Sequence, residues 1–383
     1  MTRGLVVAVV VVMTAGCPRV EPGDPLRGLS AAERARFDSG RVVFDSTFTA
    51  ETGLGPLFNA SGCAECHEDP VSGAGGDEVE RHAALFHPEL PGLKCDELAG
   101  QGGPVFQDSV TPALRAALGI DHEPLPPGVT IVAARTTPDV FGFGLLDAVP
   151  DSAILAYADP DDRDGDGISG RPNRFFDGRL GRFGRKALVP TLREFNDGAF
   201  QIEIGITNPS VPVEGTVTGD SLPAGTDPAP EPELNARGLE LTDAFVRLLA
   251  PPAPLKQKGE ARRGLEVFKR VGCAGCHVPT LPTGDNAIAA LGHKEAAAYT
   301  DLLLHDMGTE LADICFGLAT PSEFRTEPLM GLRLATQFLH DGRAKTPEEA
   351  IDMHGGEGTR ARELFQALPA ADRAALVAFL RTL

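Results

Sequence analysis

A mainly α fold, made of two related units with long loops, is what this 383-residue sequence predicts. Three observations predict it. A Cys-x-x-Cys-His pattern occurs twice, in "FNASGCAECHEDP" and in "VGCAGCHVP". Apolar residues recur at helical spacing near both patterns, and neither surrounding region shows sustained period-2 alternation. Glycine (44) and proline (32) are abundant enough that long loops must separate the elements.

In chain order, the first stretch reads "MTRGLVVAVVVVMTAGC". Arg3, an apolar run from Leu5 to Met13 and the small residues 14–16 make residues 1–16 a secretory signal peptide. The run is far shorter than the roughly 20 apolar residues of a membrane span. Cleavage before Cys17 resembles bacterial lipoprotein processing, although Thr14 stands where a leucine is usual; plain secretion is the alternative. Residues 17–27 then form a lipid-anchored tether, and the chain is expected on the periplasmic side of a membrane, touching it only through the anchor. A net charge of −19 argues against nucleic acid and anionic membrane surfaces as partners and suits a basic redox partner, surface solvation being the alternative.

The seven cysteines sort by chemistry. A zinc ribbon needs its two Cys-x-x-Cys halves about 15 to 20 residues apart, and a thioredoxin-like dithiol needs a βαβ setting. Neither fits. Haem attachment accounts for each position: thiols at i and i+3 share a helical face and add to the two vinyl groups of one porphyrin. The next histidine then lies under the iron. Cys63, Cys66 and His67 therefore form one c-type haem site, and Cys273, Cys276 and His277 a second. Cys95 and Cys315 are left over. In an oxidising compartment they are expected to pair and tie the two haem regions together, the alternative being two separate buried thiols.

Residues 28–211 are expected to form an N-terminal haem domain, entered by a helix in "LSAAERARFDSGRVVF". Residues 212–254 supply a Pro/Gly-rich loop and a connecting helix stopped by prolines. Residues 255–383 are the clearer domain, with Leu265, Phe268 and Val271 on one helical stripe before the second motif. Leu376, Phe379, Leu380 and Leu383 make another stripe at the C-terminus. A leading helix, Cys-x-x-Cys-His and a terminal helix are the parts of a cytochrome c domain, so two cytochrome c-like haem domains are expected. Within the first, "DPDDRDGDGISGRPN" places Asp162, Asp164 and Asp166 at alternate positions before Gly167, the start of a Ca²⁺-binding loop. Asn173 stands where the bidentate glutamate would be, so the loop is partial and a solvated acidic turn is the alternative.

"FLHDGRAKTPEEAIDMHGGEG", "GLGPLFNASGCAECH", "RFGRKALVPTLREFNDGAFQIEIGITNP", "LLHDMGTELAD" and "FRTEPLMGLR" resemble blocks of the bacterial di-haem cytochrome c peroxidases. The similar branch is that of the di-haem oxidoreductases, also called thiol oxidoreductases. The resemblance implies proximal ligation by His67 and His277. It places His354 where the peroxidases carry a ligating methionine, with Met307 and Met330 as alternatives. His82 and His87 are the candidate sixth ligands of the first haem, and Asp147 the candidate distal acid–base group. His340 and Arg343 are expected between the haems. The chain has no tryptophan, unlike the relatives that place one between the haems. The expected activity is reduction of a peroxide or related oxidant, with electrons from a small cytochrome, a cupredoxin or a quinol-linked donor. The alternatives are a non-catalytic electron-transfer cytochrome and an oxidase of a protein or thiol.

Overall fold

The computed structural model describes residues 19–68, 79–129 and 131–383. The signal peptide and Cys17 lie outside the described residues. No described helix is long and apolar enough to cross a membrane.

Each half is organised by one helix crossing. Ser30 starts the helix Ala31–Phe44 with a capping box: its hydroxyl accepts from the Glu33 amide while Glu33 reaches back to the Ser30 N–H. The buried face of this helix, Phe37, Gly40 and Phe44, lies against the helix Ala236–Leu248, which Asn235 caps. Phe245 is the centre of that contact, with ring centroids 5.0 Å from Phe37 and 4.9 Å from Phe44. In the second half Glu260–Arg270 crosses the C-terminal helix Ala370–Leu380 in the same manner, Phe268 meeting Phe379 at 5.3 Å.

Both leading helices share a Gly-x-x-Val-Phe spacing, Gly40 to Phe44 and Gly264 to Phe268. A Cβ on Gly40 would run into the Leu241 carbonyl, and one on Gly264 into the Ala375 carbonyl. Glycine is needed because the two backbones touch there.

Helices account for 32% of the described residues, and small antiparallel sheets lie between them. The largest is built on Val79–Phe86, which pairs with Ile131–Thr136, Cys95–Asp96 and Val105–Phe106. Alternation does not announce this strand, because Ala83 and Ala84 are successive residues and both are fully buried. Residues 212–235 hold neither a helix nor a named strand, and the helix after them ends just before Pro251 and Pro252.

The halves share one core. The largest buried cluster joins Phe37, Phe141, Phe183 and Phe245 to Val278, Leu291 and Leu303. A disulfide bond between Cys95 and Cys315, 220 residues apart, links the sheet to the second half. The expectation of a pair, rather than two separate thiols, holds.

Candidate functional site

The two Cys-x-x-Cys-His motifs adopt the same turn. Cys63–Cys66 is a single helical turn and Cys273–Gly275 a tighter one. In both, the histidine N–H donates to the carbonyl of the first cysteine, His67 to Cys63 and His277 to Cys273, each at 3.0 Å. That closure carries both thiols and the imidazole on one short turn. Burial, with Glu203 and Asp45 nearby, pushes the Cys63 thiol up to about 12, and burial, with Cys276 nearby, does the same for Cys273. Cys276 is raised as well, again chiefly by burial.

In the first half, Phe44 from the leading helix lies 6.0 Å from the His67 ring. His82, on strand Val79–Phe86, is buried, with Nε2 3.0 Å from Glu80 Oε2 and, among the described residues, no hydrogen-bond partner for Nδ1. Burial and Arg135 push its imidazole below the ordinary range. His87 lies beyond the strand, half-buried, 3.4 Å from Glu89. Two carboxyls that sequence reasoning missed enclose this region. Burial works against the Glu80 charge, but the His82 bond and the nearby His67 and Arg135 hold its carboxyl low. Glu203, near the end of the helix Leu192–Ile204, is raised well above the ordinary carboxylate range by burial and by Glu80.

The second motif opens on a cavity of about 290 Å³ that Cys273, Cys276, His277, His340 and His354 all line. His277 Nδ1 lies 3.0 Å from the Tyr299 carbonyl oxygen, and His354 Nδ1 lies 2.7 Å from that of Ala350. A carbonyl only accepts, so each Nδ1 carries the hydrogen and each Nε2 is left with a lone pair. Burial, with His354 nearby, pushes His277 down to about 4, and burial, with Arg362 nearby, lowers His354. Neutral imidazole is the form that binds a metal. Met330 also lines the cavity, but its sulfur is turned onto Gly142 of the first half. Met307 lines it with its methyl group against Gly358. The donor set and the enclosed, largely apolar wall fit a haem.

The other predicted residues fall in different places. His340 is buried, stacks on Phe324 at 4.6 Å and is pushed down to about 4 by burial. Arg343 is exposed and bonds Asp341 and the Glu310 carbonyl. Asp147 pairs with Arg247 and accepts the Leu192 N–H at 2.9 Å, which ties down both carboxylate oxygens. Asp162, Asp164 and Asp166 are exposed, with carboxylate oxygens within 4.8 Å of one another.

His305, missed in the sequence, lies against the second motif, 3.6 Å from Cys276 Sγ. Arg135, Lys186 and Asp313 form a buried ion cluster between the halves, with Arg135 Nε at 2.7 Å and Lys186 Nζ at 2.8 Å from Asp313. Sequence did hold one clue to His305: it stands within "LLHDMGTELAD", a block already marked by resemblance.

No curated protein matches the chain. Among solved structures, the diheme peroxidase BthA from Burkholderia thailandensis is 16% identical, covering 96% of this chain and 89% of its own, with a TM-score of 0.43. Hydrazine synthase from Kuenenia stuttgartiensis is 15% identical over all of both chains, with a TM-score of 0.38. A MauG-like protein associated with microbial copper homeostasis is 22% identical over 39% of this chain and 53% of that one, with a TM-score of 0.26. These likenesses are too distant to carry an argument, and the assignment rests on the family model. That model, described as "Di-haem oxidoreductase, putative peroxidase", matches residues 127–383. The chain belongs to this di-haem oxidoreductase family.

Proposed function

We propose that the protein is an exported, lipid-anchored oxidoreductase with two covalently attached c-type haems, and that it reduces a peroxide or a related oxidant. One observation carries the reading: two separated Cys-x-x-Cys-His turns, one in each half, close on the same backbone hydrogen bond. Cys63, Cys66 and His67 hold the first haem; Cys273, Cys276 and His277 hold the second, and His354 completes its coordination. Bound haem supplies one-electron chemistry and, at an iron with an open position, a place for peroxide.

The chain's own residues do the rest. Tyr299 and Ala350 carbonyls fix the tautomers of His277 and His354. Cleaving an O–O bond requires a proton moved between oxygens. Glu203, whose carboxyl is raised by burial and by Glu80, is the group proposed to move it, whereas Asp147 is committed to Arg247 and the Leu192 amide. The acidic surface favours a small basic electron donor. Asp162, Asp164 and Asp166 are the proposed Ca²⁺ ligands; titrating chelator-treated protein with Ca²⁺ should release or absorb heat, and a flat calorimetric trace removes the site.

The test uses protein matured in a host that attaches c-type haem. We expect two haems per chain, a high-spin component at some reduction level, and peroxide consumption with a reduced donor. Glu203→Gln should lower that rate by about 10²–10⁴-fold with haem content unchanged. If both irons are low-spin at every level and bind neither cyanide nor carbon monoxide, the protein is an electron carrier.

A further inference from the structure

His305 is 2% exposed, and both its ring nitrogens face carboxylates: Nε2 lies 2.8 Å from Asp301 Oδ2 and Nδ1 lies 2.7 Å from Glu357 Oε2. Carboxylates only accept, so both nitrogens donate and the ring is an imidazolium. Burying a charged group is expensive unless it is fully paired, and nothing in the reading above uses this one.

Its position suggests the use. Glu357 is a hub: besides His305 it accepts from the Ser169 N–H at 2.9 Å, the Ser169 hydroxyl at 2.6 Å and the Asp306 N–H at 3.1 Å. It stands three residues after His354, in the turn Gly356–Gly358. Gly358 in turn packs so closely on His354 that a Cβ there would lie 3.0 Å from His354 Cβ and 3.3 Å from its ring. The same His305 ring touches the sulfur of Cys276. One buried imidazolium therefore joins the motif that carries His277 to the turn that carries His354.

We infer that His305 and Glu357 form a clamp that keeps His354 seated opposite His277. They are positioning residues: His305 fixes Glu357, and Glu357 fixes the turn that walls the His354 ring. The inference rests on the proposal that His277 and His354 ligate the same iron. Without the clamp, His354 stays bonded to the Ala350 carbonyl, but the wall behind it is free to shift, so its hold on the metal weakens.

The experiment compares mature di-haem protein with its His354→Ala, His305→Ala, Glu357→Ala and Glu357→Gln variants, each first assayed for two attached haems. Electron paramagnetic resonance of the oxidised protein and binding of added imidazole report on the second iron. His354→Ala should abolish its low-spin signal and open it to imidazole. His305→Ala and Glu357→Ala should leave a mixed-spin population and raise imidazole affinity at that iron about 10- to 100-fold. Glu357→Gln, which can still accept from Ser169 and Asp306, should fall between them and the parent. Should His354→Ala open the iron while His305→Ala and Glu357→Ala keep the parental spectrum and affinity, the clamp is refuted and the ligand assignment stands. If His354→Ala itself looks parental, the ligand assignment fails and the clamp with it. Where a clamp variant does not retain two haems, Ser169→Ala removes a single Glu357 bond and should give a smaller shift of the same sign; parental behaviour refutes the clamp.

Discussion

At the scale of single residues, charge is set by what faces it. Burial alone would lower the His305 pKa, but the bonds to Asp301, Cys276 and Glu357 outweigh it and push the imidazole up to about 12. In the unfolded chain the same group titrates near the ordinary histidine value of about 6.5. Its contribution to stability is therefore complete below that pH and is lost as pH rises from there toward the folded value. We expect wild-type stability to fall by up to about 1.4 kcal/mol per pH unit above neutrality from this group, and His305→Asn to flatten the slope. Urea unfolding at several pH values checks it; parallel slopes count against a charged His305. The cysteines and proximal histidines were legible in the sequence because covalent attachment demands a fixed spacing. Glu203, His305 and Glu357 were not, since their partners come from distant segments: Ser169 meets Glu357 across 188 residues.

At the scale of elements, helices were easier to read than strands. Ala31–Phe44, Glu260–Arg270 and Ala370–Leu380 carry apolar stripes of helical period, and the first has a capping box besides. The strand Val79–Phe86 escaped because its burial does not alternate. The two crossings show what periodicity does not state. Replacing glycine by alanine in a helix interior ordinarily stabilises by about 0.5–1 kcal/mol. At Gly264 the added Cβ meets the Ala375 carbonyl, so Gly264→Ala should instead destabilise by about 1–3 kcal/mol. Gly40→Ala should do likewise through the Leu241 carbonyl. Thermal denaturation decides it, and a stabilised variant would show that the helices do not approach so closely.

At the scale of the molecule, the halves are joined by a shared core, a disulfide and a buried ion cluster. Lys186 is wholly buried, pairs with Asp313 and lies 3.5 Å over the Phe324 ring, on which His340 stacks. Burial pushes the lysine down to about 7, yet Asp313 and the carbonyls of Pro321 and Glu323 give its ammonium a full set of acceptors. Asp313→Asn leaves Lys186 and Arg135 facing each other unneutralised, and should cost about 3–5 kcal/mol. Asp161→Asn, at the exposed pair with Arg163, should change stability by no more than about 1 kcal/mol. Denaturant midpoints measured side by side test the contrast; equal effects would mean the cluster is solvated.

The sequence by itself determined the leading and terminal helices and supplied the spacing on which the proposed haem attachment rests, because each depends on residue type at short spacing; it left the pairing of the last two cysteines as an expectation that the fold then bore out. Only the tertiary structure decided that burial and Glu80 raise the Glu203 carboxyl near the first motif, that Asp147 is held by Arg247, and that His305 bridges the second motif to the turn after His354. Those outcomes depend on burial and on partners from remote parts of the chain. The free energy of a buried charge is fixed by its neighbours in space, which one-dimensional order does not specify.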